Sequence, residues 1–424
     1  MKVHLSYGTD GLDVDLPEGT TVVEPVWRPA VPDPAAALAA ALTRPVAGPA
    51  LRELVRPGQR VAISVCDGTR AQPRHLMVPA VLDQLDGIVR PEDVVILVAT
   101  GTHRANTRAE LVAMLGPDVV DHVEVVNHDS RDESAQQWMG VLGAGVPVWL
   151  DRRWVEADVR ITTGFVEPHF FAGFSGGPKM VAPGLAGLDT VLVLHDAARI
   201  GHPLATWGVT EGNPVHDDVR AIAAATGVTF ACDVVLNRDQ EIVAAFGGEL
   251  FAMHAAACAL ARQVSMRAVP APFDVVLTTN AGWPLDQNLY QTVKGMSAAA
   301  QVVKPGGLIV LAAECRDGFP DLPGGGYREV LGSEPSMGAL LQTIEARPRT
   351  VPDQWQAQVQ AKVQARAEVV VHSGYLSAAD LAGAHLGWSP DVAETVRSAL
   401  SAAGPSASVA VLPEGPQTIP YVAR

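Results

Sequence analysis

Two stretches in the first quarter of the chain decide the fold: VAISVCDGTR at residues 61–70 and VVILVATGTHR at residues 94–104. Each opens with a short, largely apolar run and then changes at once to a polar segment. An apolar run without polar alternation is typical of a strand covered on both faces, as in a parallel sheet with helices on either side. The two stretches therefore predict strands at residues 61–65 and 94–98, each ending in a polar loop.

The same alternation of short apolar strands with Ala- and Leu-rich helical segments continues along the chain, which indicates βα units. Further strands are predicted at residues 123–126, 159–163, 275–279, 307–312, 368–372 and 408–412. Helices are predicted near residues 76–85, 107–115, 188–200, 216–225, 250–262, 288–303, 336–347, 355–367 and 392–402. A hairpin is predicted where residues 229–236 and 241–246 flank a turn at residues 237–239.

A length of 424 residues favours two domains, because one hydrophobic core rarely serves so long a chain. The sequence predicts an α/β protein in which each domain has a mostly parallel sheet flanked by helices. The Ala- and Pro-containing residues 271–273 are the best linker, and the domains are predicted at residues 1–268 and 269–424. Polar segments follow strands in both domains. Since ligands of open α/β sheets bind beyond the carboxyl ends of the strands, we expect the active site in the cleft between the domains.

Composition narrows the class of partner. The chain has 31 Lys and Arg against 46 Asp and Glu, a formal net charge of −15 at pH 7, so neither nucleic acid nor an anionic membrane is an expected partner. The 4 cysteines are far apart and form no CxxC pair, which predicts reduced, mostly buried thiols. The first residues lack the apolar core of a secretory signal, and no apolar run reaches membrane length, which favours a cytoplasmic protein.

Polar side chains at neighbouring strand ends are candidates for chemistry. Asp67 and Arg70 could be a turn former and a surface arginine, or a guanidinium that an acid holds in place to bind a carboxylate. His103 follows the second strand, and His169 lies in the polar segment after residues 159–163. A single histidine is more often structural. Two at adjacent strand ends favour acid/base chemistry, because imidazole titrates near neutral pH.

The segment GFSGGPK at residues 173–179 invites comparison with a phosphate-binding P-loop. It fails the test, since GxxxxGK[ST] requires glycine where Pro178 stands and Ser or Thr where Met180 stands. An anion-binding turn at Gly176 and Gly177 beside the amine of Lys179 stays open, and so does a flexible turn with a solvated lysine.

Tyr290, Gln291 and Lys294 lie within one helical turn of each other in the predicted helix at residues 288–303. They could form an exposed helix start or one polar face of a binding site. The preceding Asp286, Gln287 and Asn288 favour a site, because so many polar side chains are poor core material.

Five strings in this order make the sequence recognisable: CDGTR, ATGTHR, GFVEPHFFAGFSGGPKM, NAGWPLDQNLYQTVKGM and VPDQWQAQ. They closely resemble the lactate racemase family, and the resemblance runs through nearly the whole chain. The third and fourth strings are long and specific, unlike a lone GxGxxG. The resemblance implies an isomerase, a racemase or epimerase of 2-hydroxy acids that uses a nickel-pincer nucleotide.

The resemblance also implies a role for each candidate residue. The cofactor is a pyridinium mononucleotide that holds nickel through two sulfur-bearing arms and a ring carbon; Lys179 would be joined to one arm, and His195 would be a nickel ligand. Taken alone, His195 inside a helix would be structural. His103 and His169 are the implied acid/base pair. Contacts to the cofactor are implied for Asp67, Gly176, Gly177 and Trp355, and contacts to the substrate for Arg70, Tyr290, Gln291 and Lys294.

The implied reaction inverts C2 of a 2-hydroxy acid. A base removes the hydroxyl proton while the C2 hydride passes to the pyridinium, and the hydride returns to the opposite face of the 2-keto acid. Two bases are needed because each stereoisomer presents its hydroxyl on a different side. The expected partners are therefore a small-molecule 2-hydroxy acid and the enzymes that synthesise the cofactor.

The substrate within this class stays open. Gly68, Ala71, Arg74 and Pro178 stand where lactate racemases of the family tend to carry His, Pro, Ser and Arg. Lactate, malate, 2-hydroxyglutarate, phenyllactate and aldonic acids are all compatible with the sequence, and Arg74 is either a group for a second anion or a surface arginine. Two other classes also stay open: a metal-dependent hydrolase or lyase built on His103, His169 and His195, and a non-catalytic binder of the nucleotide.

Overall fold

The structure is a computed structural model and describes residues 1–320 and 326–423. The chain divides into two compact units. The N-terminal unit comprises Trp27–His195 and Leu204–Val264, and the C-terminal unit comprises Met1–Val26, Asp196–Pro203 and Ser265–Arg424. Each unit contains a six-stranded sheet with helices, which confirms the predicted fold class.

The sheet of the N-terminal unit is parallel except at one edge. In spatial order its strands are β13 (Ile242–Gly248), β12 (Phe230–Leu236), β9 (Val159–Phe165), β4 (Val61–Cys66), β5 (Val94–Ala99) and β6 (Glu124–Asn127). The antiparallel edge is the predicted hairpin, β12 with β13. Two small pairs lie outside this sheet: β7 (Gln136–Leu142) with β8 (Val146–Asp151), and β10 (Pro168–His169) with β11 (Gly173–Phe174).

Helices cover this sheet on both faces. They are α1 (Pro34–Thr43), α2 (Leu51–Leu54), α3 (Arg74–Leu85), α4 (Arg108–Leu115), α5 (Pro117–His122), α6 (Arg152–Glu156), α7 (Leu188–Leu194), α9 (Pro214–Thr226) and α10 (Leu250–Ser265). Successive residues of a strand point to opposite faces, so Ile63 packs with Met77 of α3 while Ala62 packs with Trp154 of α6. Every residue of β4 is buried as a result.

The sheet of the C-terminal unit is parallel throughout. In spatial order its strands are β18 (Gly387–Trp388), β17 (Glu368–His372), β16 (Val303–Ala312), β15 (Phe273–Thr279), β19 (Val409–Leu412) and β3 (Thr21–Val22). An antiparallel hairpin joins β1 (Lys2–Leu5) to β2 (Leu12–Asp15), and β14 (Met266–Val269) pairs in parallel with β20 (Ile419–Val422). The helices are α8 (Ala197–Gly201), α11 (Leu289–Ala299), α12 (Tyr327–Leu331), α13 (Met337–Ala346), α14 (Gln354–Gln364), α15 (Ala378–Gly383) and α16 (Val392–Ala403).

The two units do not coincide with the predicted domains, which were divided between residues 268 and 269. The C-terminal unit begins its main segment at Ser265 and also takes in the first 26 residues and the segment Asp196–Pro203. The first 26 residues belong to the C-terminal unit because β3 pairs with β19 at the edge of the C-terminal sheet. β1 and β2 also contribute Val3 and Val14 to the core of that unit.

The predicted helix at residues 188–200 is wrong in one respect, since two helices occupy this stretch. α7 ends at Leu194 and α8 begins at Ala197, with His195 as the C-cap of α7 and Asp196 as the N-cap of α8. The predicted state of the cysteines is confirmed: Cys66, Cys232, Cys258 and Cys315 are free and buried. No helix of the described residues is long and apolar enough to cross a membrane.

Candidate active site

Asp67 and His103 form a hydrogen-bonded pair at the carboxyl ends of β4 and β5. His103 Nδ1 lies 2.6 Å from Asp67 Oδ2, and the other carboxylate oxygen accepts hydrogen bonds from the backbone and hydroxyl of Thr69 at 2.9 and 2.6 Å. Burial opposes ionisation of Asp67, but His103, Arg70 and Thr69 outweigh it and hold the pKa of the carboxyl well below its usual range. An ionised Asp67 fixes the imidazole with its proton on Nδ1, which makes Nε2 the proton-accepting nitrogen.

The loop after β4 also positions two arginines. Half-buried Arg70 donates from Nη1 to the hydroxyl of Thr69 at 2.9 Å. Arg74 is only 6% exposed, and its guanidinium donates to the carbonyls of Asp67 and Arg70 at 3.0 and 3.2 Å. Arg74 is therefore not a surface arginine, one of the two readings that the sequence left open; it holds the loop that carries Asp67.

Phe171 brings three of the candidate residues together. Its ring centroid lies 4.5 Å from the ring of His169 and 5.2 Å from that of His195, both edge-on, and Lys179 Nζ lies 5.8 Å from the same centroid. His169 sits in the β10–β11 hairpin, where the backbone N–H groups of Phe171 and Ala172 approach its Nδ1 at 3.5 and 3.3 Å. Residues far apart in the sequence thus share one aromatic side chain.

His195 is buried at the end of α7. Its Nδ1 donates to the carbonyl of Val191 at 2.8 Å, which leaves the lone pair of the neutral ring on Nε2. Burial lowers the pKa of His195 to about 4; the Val191 carbonyl opposes this effect and the charge of Lys179 adds to it. The imidazole is therefore neutral at neutral pH, as a metal ligand must be.

The turn before Lys179 depends on two glycines. Gly176 has φ +69° and Gly177 has φ +51°, and a Cβ at Gly176 would lie 2.6 Å from Asp233 Oδ2. The backbone N–H of Gly177 donates to that same oxygen at 2.6 Å. This amide therefore faces a carboxylate of the protein, so the glycines shape the turn, and an anion-binding role of the Gly177 amide has no support in this geometry.

Sequence reasoning missed the side chains behind this turn. Asp233 in β12 has no exposed surface, and burial raises its pKa to about 7 against the hydrogen bonds of Gly177 and Gly164. His254 in α10 donates from Nε2 to the carbonyl of Ser175 at 2.8 Å and stacks on His216 at 5.8 Å. One signal was available: an aspartate interrupts the otherwise apolar string FACDVVL of β12.

The remaining candidates lie in the C-terminal unit on α11 and α14. Lys294 Nζ donates to Gln291 Oε1 at 2.9 Å, and Trp355 Nε1 donates to the hydroxyl of Tyr290 at 3.1 Å. Tyr290, Gln291 and Lys294 are half-buried on one face of α11, and Trp355 is buried. The structure therefore brings these four residues together.

The polar string before α11 is structural. Asp286 is fully buried and accepts the backbone N–H groups of Gly8 and Glu314 at 2.8 and 3.0 Å. Asn288 is the N-cap of α11 and accepts the N–H of Gln291 at 3.0 Å. These two residues shape the loop that leads to Tyr290, so their polarity is not itself a sign of ligand binding.

A metal centre made only of protein side chains is not present in the described part of the chain. Within residues 1–320 and 326–423, no three His, Cys, Asp or Glu side chains are placed to hold one metal ion. His195 is neutral and buried, its lone pair is on Nε2, and Lys179 lies nearby. These residues fit a metal ion that is held mainly by an organic group and whose coordination one imidazole completes.

These features define the class: an α/β protein with a carboxylate–imidazole pair at the carboxyl ends of a parallel sheet, where ligands of this architecture bind. The family model for the lactate racemase N-terminal domain matches residues 7–208, and that for the lactate racemase C-terminal domain matches residues 268–419. The chain belongs to the lactate racemase family, and as a member it is an isomerase, a racemase.

Individual relatives agree with this assignment. The chain is 34% identical over 381 residues to the lactate racemase of Thermoanaerobacterium thermosaccharolyticum, covering 89% of this chain and 88% of that protein. It is 36% identical over 376 residues to the lactate racemase of Lactiplantibacillus plantarum, covering 88% of each. The solved apoprotein structure of the T. thermosaccharolyticum racemase matches with a TM-score of 0.91 at 31% identity over 100% of both chains. A Thermotoga maritima protein with a TM-score of 0.67 and 18% identity, covering 92% of this chain and 98% of that one, shares the fold.

Proposed function

We propose that this protein inverts C2 of a 2-hydroxycarboxylic acid through a 2-keto acid, with a nickel-pincer nucleotide held covalently by Lys179. The observation that carries the proposal is the arrangement around Phe171, which places His169, Lys179 and His195 against one ring. A general acid/base, an amine for attachment and a neutral metal ligand are three of the groups that this reaction requires of the protein.

His103 is the base for one stereoisomer. Its Nδ1 proton is held by Asp67, so Nε2 takes the hydroxyl proton, and the ionised carboxylate stabilises the imidazolium that results. Asp67 thereby prepares the imidazole for the transfer without taking the proton itself. We propose this role for Asp67 in addition to its implied contact with the cofactor.

His169 is proposed as the partner acid. Because two backbone N–H groups approach its Nδ1, the neutral ring carries its proton on Nε2. The neutral rings of His103 and His169 are thus set in opposite tautomers. To act as the acid, His169 must be protonated on both nitrogens, so that giving a proton to the substrate oxygen returns it to the neutral ring. Inversion in the reverse direction exchanges the two roles.

The carboxylate of the substrate requires cations and hydrogen-bond donors. We propose Arg70 from the N-terminal unit, and Tyr290, Gln291 and Lys294 from the C-terminal unit, for this purpose. Holding the carboxylate keeps the 2-keto acid bound while its other face turns toward the hydride.

The cofactor groups are proposed from the family resemblance, and the geometry around Phe171 supports Lys179 and His195 among them. Lys179 would hold the nucleotide, His195 Nε2 would bind its nickel, and Trp355, Gly176 and Gly177 would line its site. The chemistry that such a nucleotide supplies when bound is acceptance and return of the C2 hydride. The alternative hydrolase lacks a three-ligand centre within residues 1–320 and 326–423.

The decisive experiment compares protein made alone with protein made together with the cofactor-synthesis enzymes. Intact mass should show an adduct only in the second preparation, and only that preparation should interconvert the stereoisomers of a 2-hydroxy acid. Lys179→Ala should show neither adduct nor activity, while Lys304→Ala, which alters a partly exposed ion pair with Asp274, serves as the matched control. An adduct without turnover of any 2-hydroxy acid would establish the non-catalytic binder instead.

A further inference from the structure

A cavity lies beside the Asp67–His103 pair, within the N-terminal unit. Its volume is about 300 Å³, and its walls include Asp67, Gly68, Thr69, His103, Asn106 and Met114. Pockets for small organic ligands span roughly 300–1,000 Å³. The cavity is therefore far larger than the methyl group of lactate requires, and it opens next to the imidazole proposed as the base.

Gly68 makes room for the Asn106 side chain in the wall of this cavity. Its φ lies outside the left-handed region, so the backbone does not demand glycine there. A Cβ at Gly68 would lie 2.8 Å from Asn106 Nδ2 and 3.5 Å from Met114 Sδ. A larger residue would push the side chains of Asn106 and Met114 away from their places in the wall, so glycine is required by the packing of the wall and not by the turn.

The polar groups of the wall favour an uncharged ligand. Asn106 Oδ1 is buried and accepts no hydrogen bond from the residues that the structure describes. Arg104 donates to both carboxylate oxygens of Glu110 at 2.9 and 2.6 Å, so its charge is already matched. Asp67 is ionised. A second carboxylate in the cavity would face the ionised Asp67 without a cation of its own, whereas a hydroxyl could hydrogen-bond with the amide group of Asn106.

We propose that the cavity receives the C2 substituent of the substrate, and that Gly68 and Asn106 select an uncharged substituent that carries hydroxyl groups. This inference rests on the proposed function. It assigns the substrate to 2-hydroxy acids with further hydroxyls along the carbon chain, and it places acids with a methyl group or a second carboxylate among the poorer substrates.

The test uses cofactor-loaded enzyme and four substrates: lactate, malate, glycerate and a four-carbon aldonate. Each is supplied as one C2 isomer, and chiral chromatography measures kcat/KM for inversion. We expect the aldonate and glycerate to exceed lactate and malate by roughly tenfold or more, the effect of one satisfied buried hydrogen bond.

Two variants test the assigned residues. Asn106→Leu removes the acceptor, and because Asn127 holds the backbone of residue 106 through hydrogen bonds of 2.9 and 3.0 Å, the chain should keep its path. Aldonate kcat/KM should fall roughly tenfold while lactate changes less than about twofold. Gly68→Ala should also lower the ratio of kcat/KM for the aldonate to kcat/KM for lactate. Gly338→Ala, at a helical glycine where an added Cβ would meet nothing within 4 Å, should leave the ratio unchanged.

The outcomes separate the inference from the proposed function. The inference is overturned if loaded enzyme inverts lactate or malate best, or if Asn106→Leu lowers kcat/KM equally for all four substrates. Either result would show that the cavity does not select hydroxylated substituents, and the racemase proposal would still stand. If loaded enzyme inverts none of a wide panel of 2-hydroxy acids, the proposed function fails. If the enzyme prefers the aldonate and Asn106→Leu removes that preference, the result supports both the proposed function and the inference about the cavity.

Discussion

The buried carboxyl of Asp233 should make the stability of the N-terminal unit depend on pH, and Asp233→Asn should remove that dependence. Asp233 is fully buried in β12 and accepts the Gly177 N–H at 2.6 Å. Burial raises its pKa to about 7. Asparagine keeps an oxygen that can accept the same N–H and removes the titratable group, so the substitution isolates the ionisation.

The direction and the size of this pH dependence follow from the linkage between proton binding and folding. In the unfolded chain the carboxyl has a pKa of about 3.9, so the folded state binds more protons than the unfolded state, and stability falls as the pH rises from about 4 to about 7. Between about pH 6 and pH 8 the unfolded carboxyl is already ionised while the folded one titrates. Integrating over that window gives a loss of about 1.4 kcal/mol in the free energy of unfolding.

Urea unfolding at pH 6, 7 and 8 tests this, followed by pulsed hydrogen exchange of peptides covering β12 so that the N-terminal unit is measured by itself. Wild type should lose about 1.4 kcal/mol more than Asp233→Asn across the window. Asp233→Ala should share the flatter pH profile but be less stable at every pH by roughly 1–3 kcal/mol, because the Gly177 N–H loses its acceptor. A difference between wild type and Asp233→Asn that is the same at pH 6 and pH 8 would refute the reasoning.

Three further predictions concern the site. His195→Ala in loaded enzyme should release nickel faster during dialysis against a chelator, because the imidazole no longer completes the coordination; equal metal retention would exclude the role. His103→Ala and His169→Ala should each abolish net interconversion, since inversion uses one imidazole to take the proton and the other to return it, and full racemisation by either variant, measured by chiral chromatography, would contradict the pairing. Arg74→Met should lower the free energy of unfolding by roughly 1–3 kcal/mol, because the Arg70 carbonyl loses its side-chain donor and the Asp67 carbonyl keeps only the backbone N–H of Arg70; an unchanged urea midpoint would show that the loop holds without Arg74.

The inner strands of the N-terminal sheet could be predicted from the sequence because nearly all of their residues are buried. β4, β5 and β9 begin where predicted and run one or two residues further. A continuous apolar run has no alternative placement in water, so its ends are marked sharply by the first polar residues. Of the helices that cover these strands, α3, α4, α9 and α10 begin and end within three residues of the predicted bounds, whereas α1, α2, α5 and α6 were not predicted.

The elements that could not be predicted depend on distant partners. β3 is two residues long and becomes a strand only because β19, nearly 400 residues later, offers a free edge. The β7–β8 arm carries exposed Trp138 and Val141, so its sequence lacks a clean alternation of buried and exposed positions. Neither case has a local signal that would distinguish it from a loop.

The residues of the candidate site also differ in whether the local sequence reveals them. Residues in the polar loops after strands, such as Asp67, His103 and Lys179, were found because polar side chains at strand ends are visible in the sequence. Asp233 and His254 were missed because they act from behind the turn, inside elements whose pattern is otherwise apolar. Their contacts are to the backbone of Ser175 and Gly177, and backbone contacts leave no mark on the sequence of the partner.

The break between α7 and α8 shows how one polar residue changes the position of a neighbour. Residues 188–200 have the composition of a single helix, but Asp196 adopts φ −66° and ψ 162° and accepts the N–H of Arg199 at 2.8 Å, which makes it an N-cap. A new helix must therefore start after it, and α7 must end before it. The carbonyl of Val191, near that end, accepts both the backbone N–H of His195 and its ring Nδ1–H, at 3.1 and 2.8 Å. The end of the helix, and not its interior, thus fixes the tautomer of His195 and makes Nε2 the nitrogen that can bind a metal.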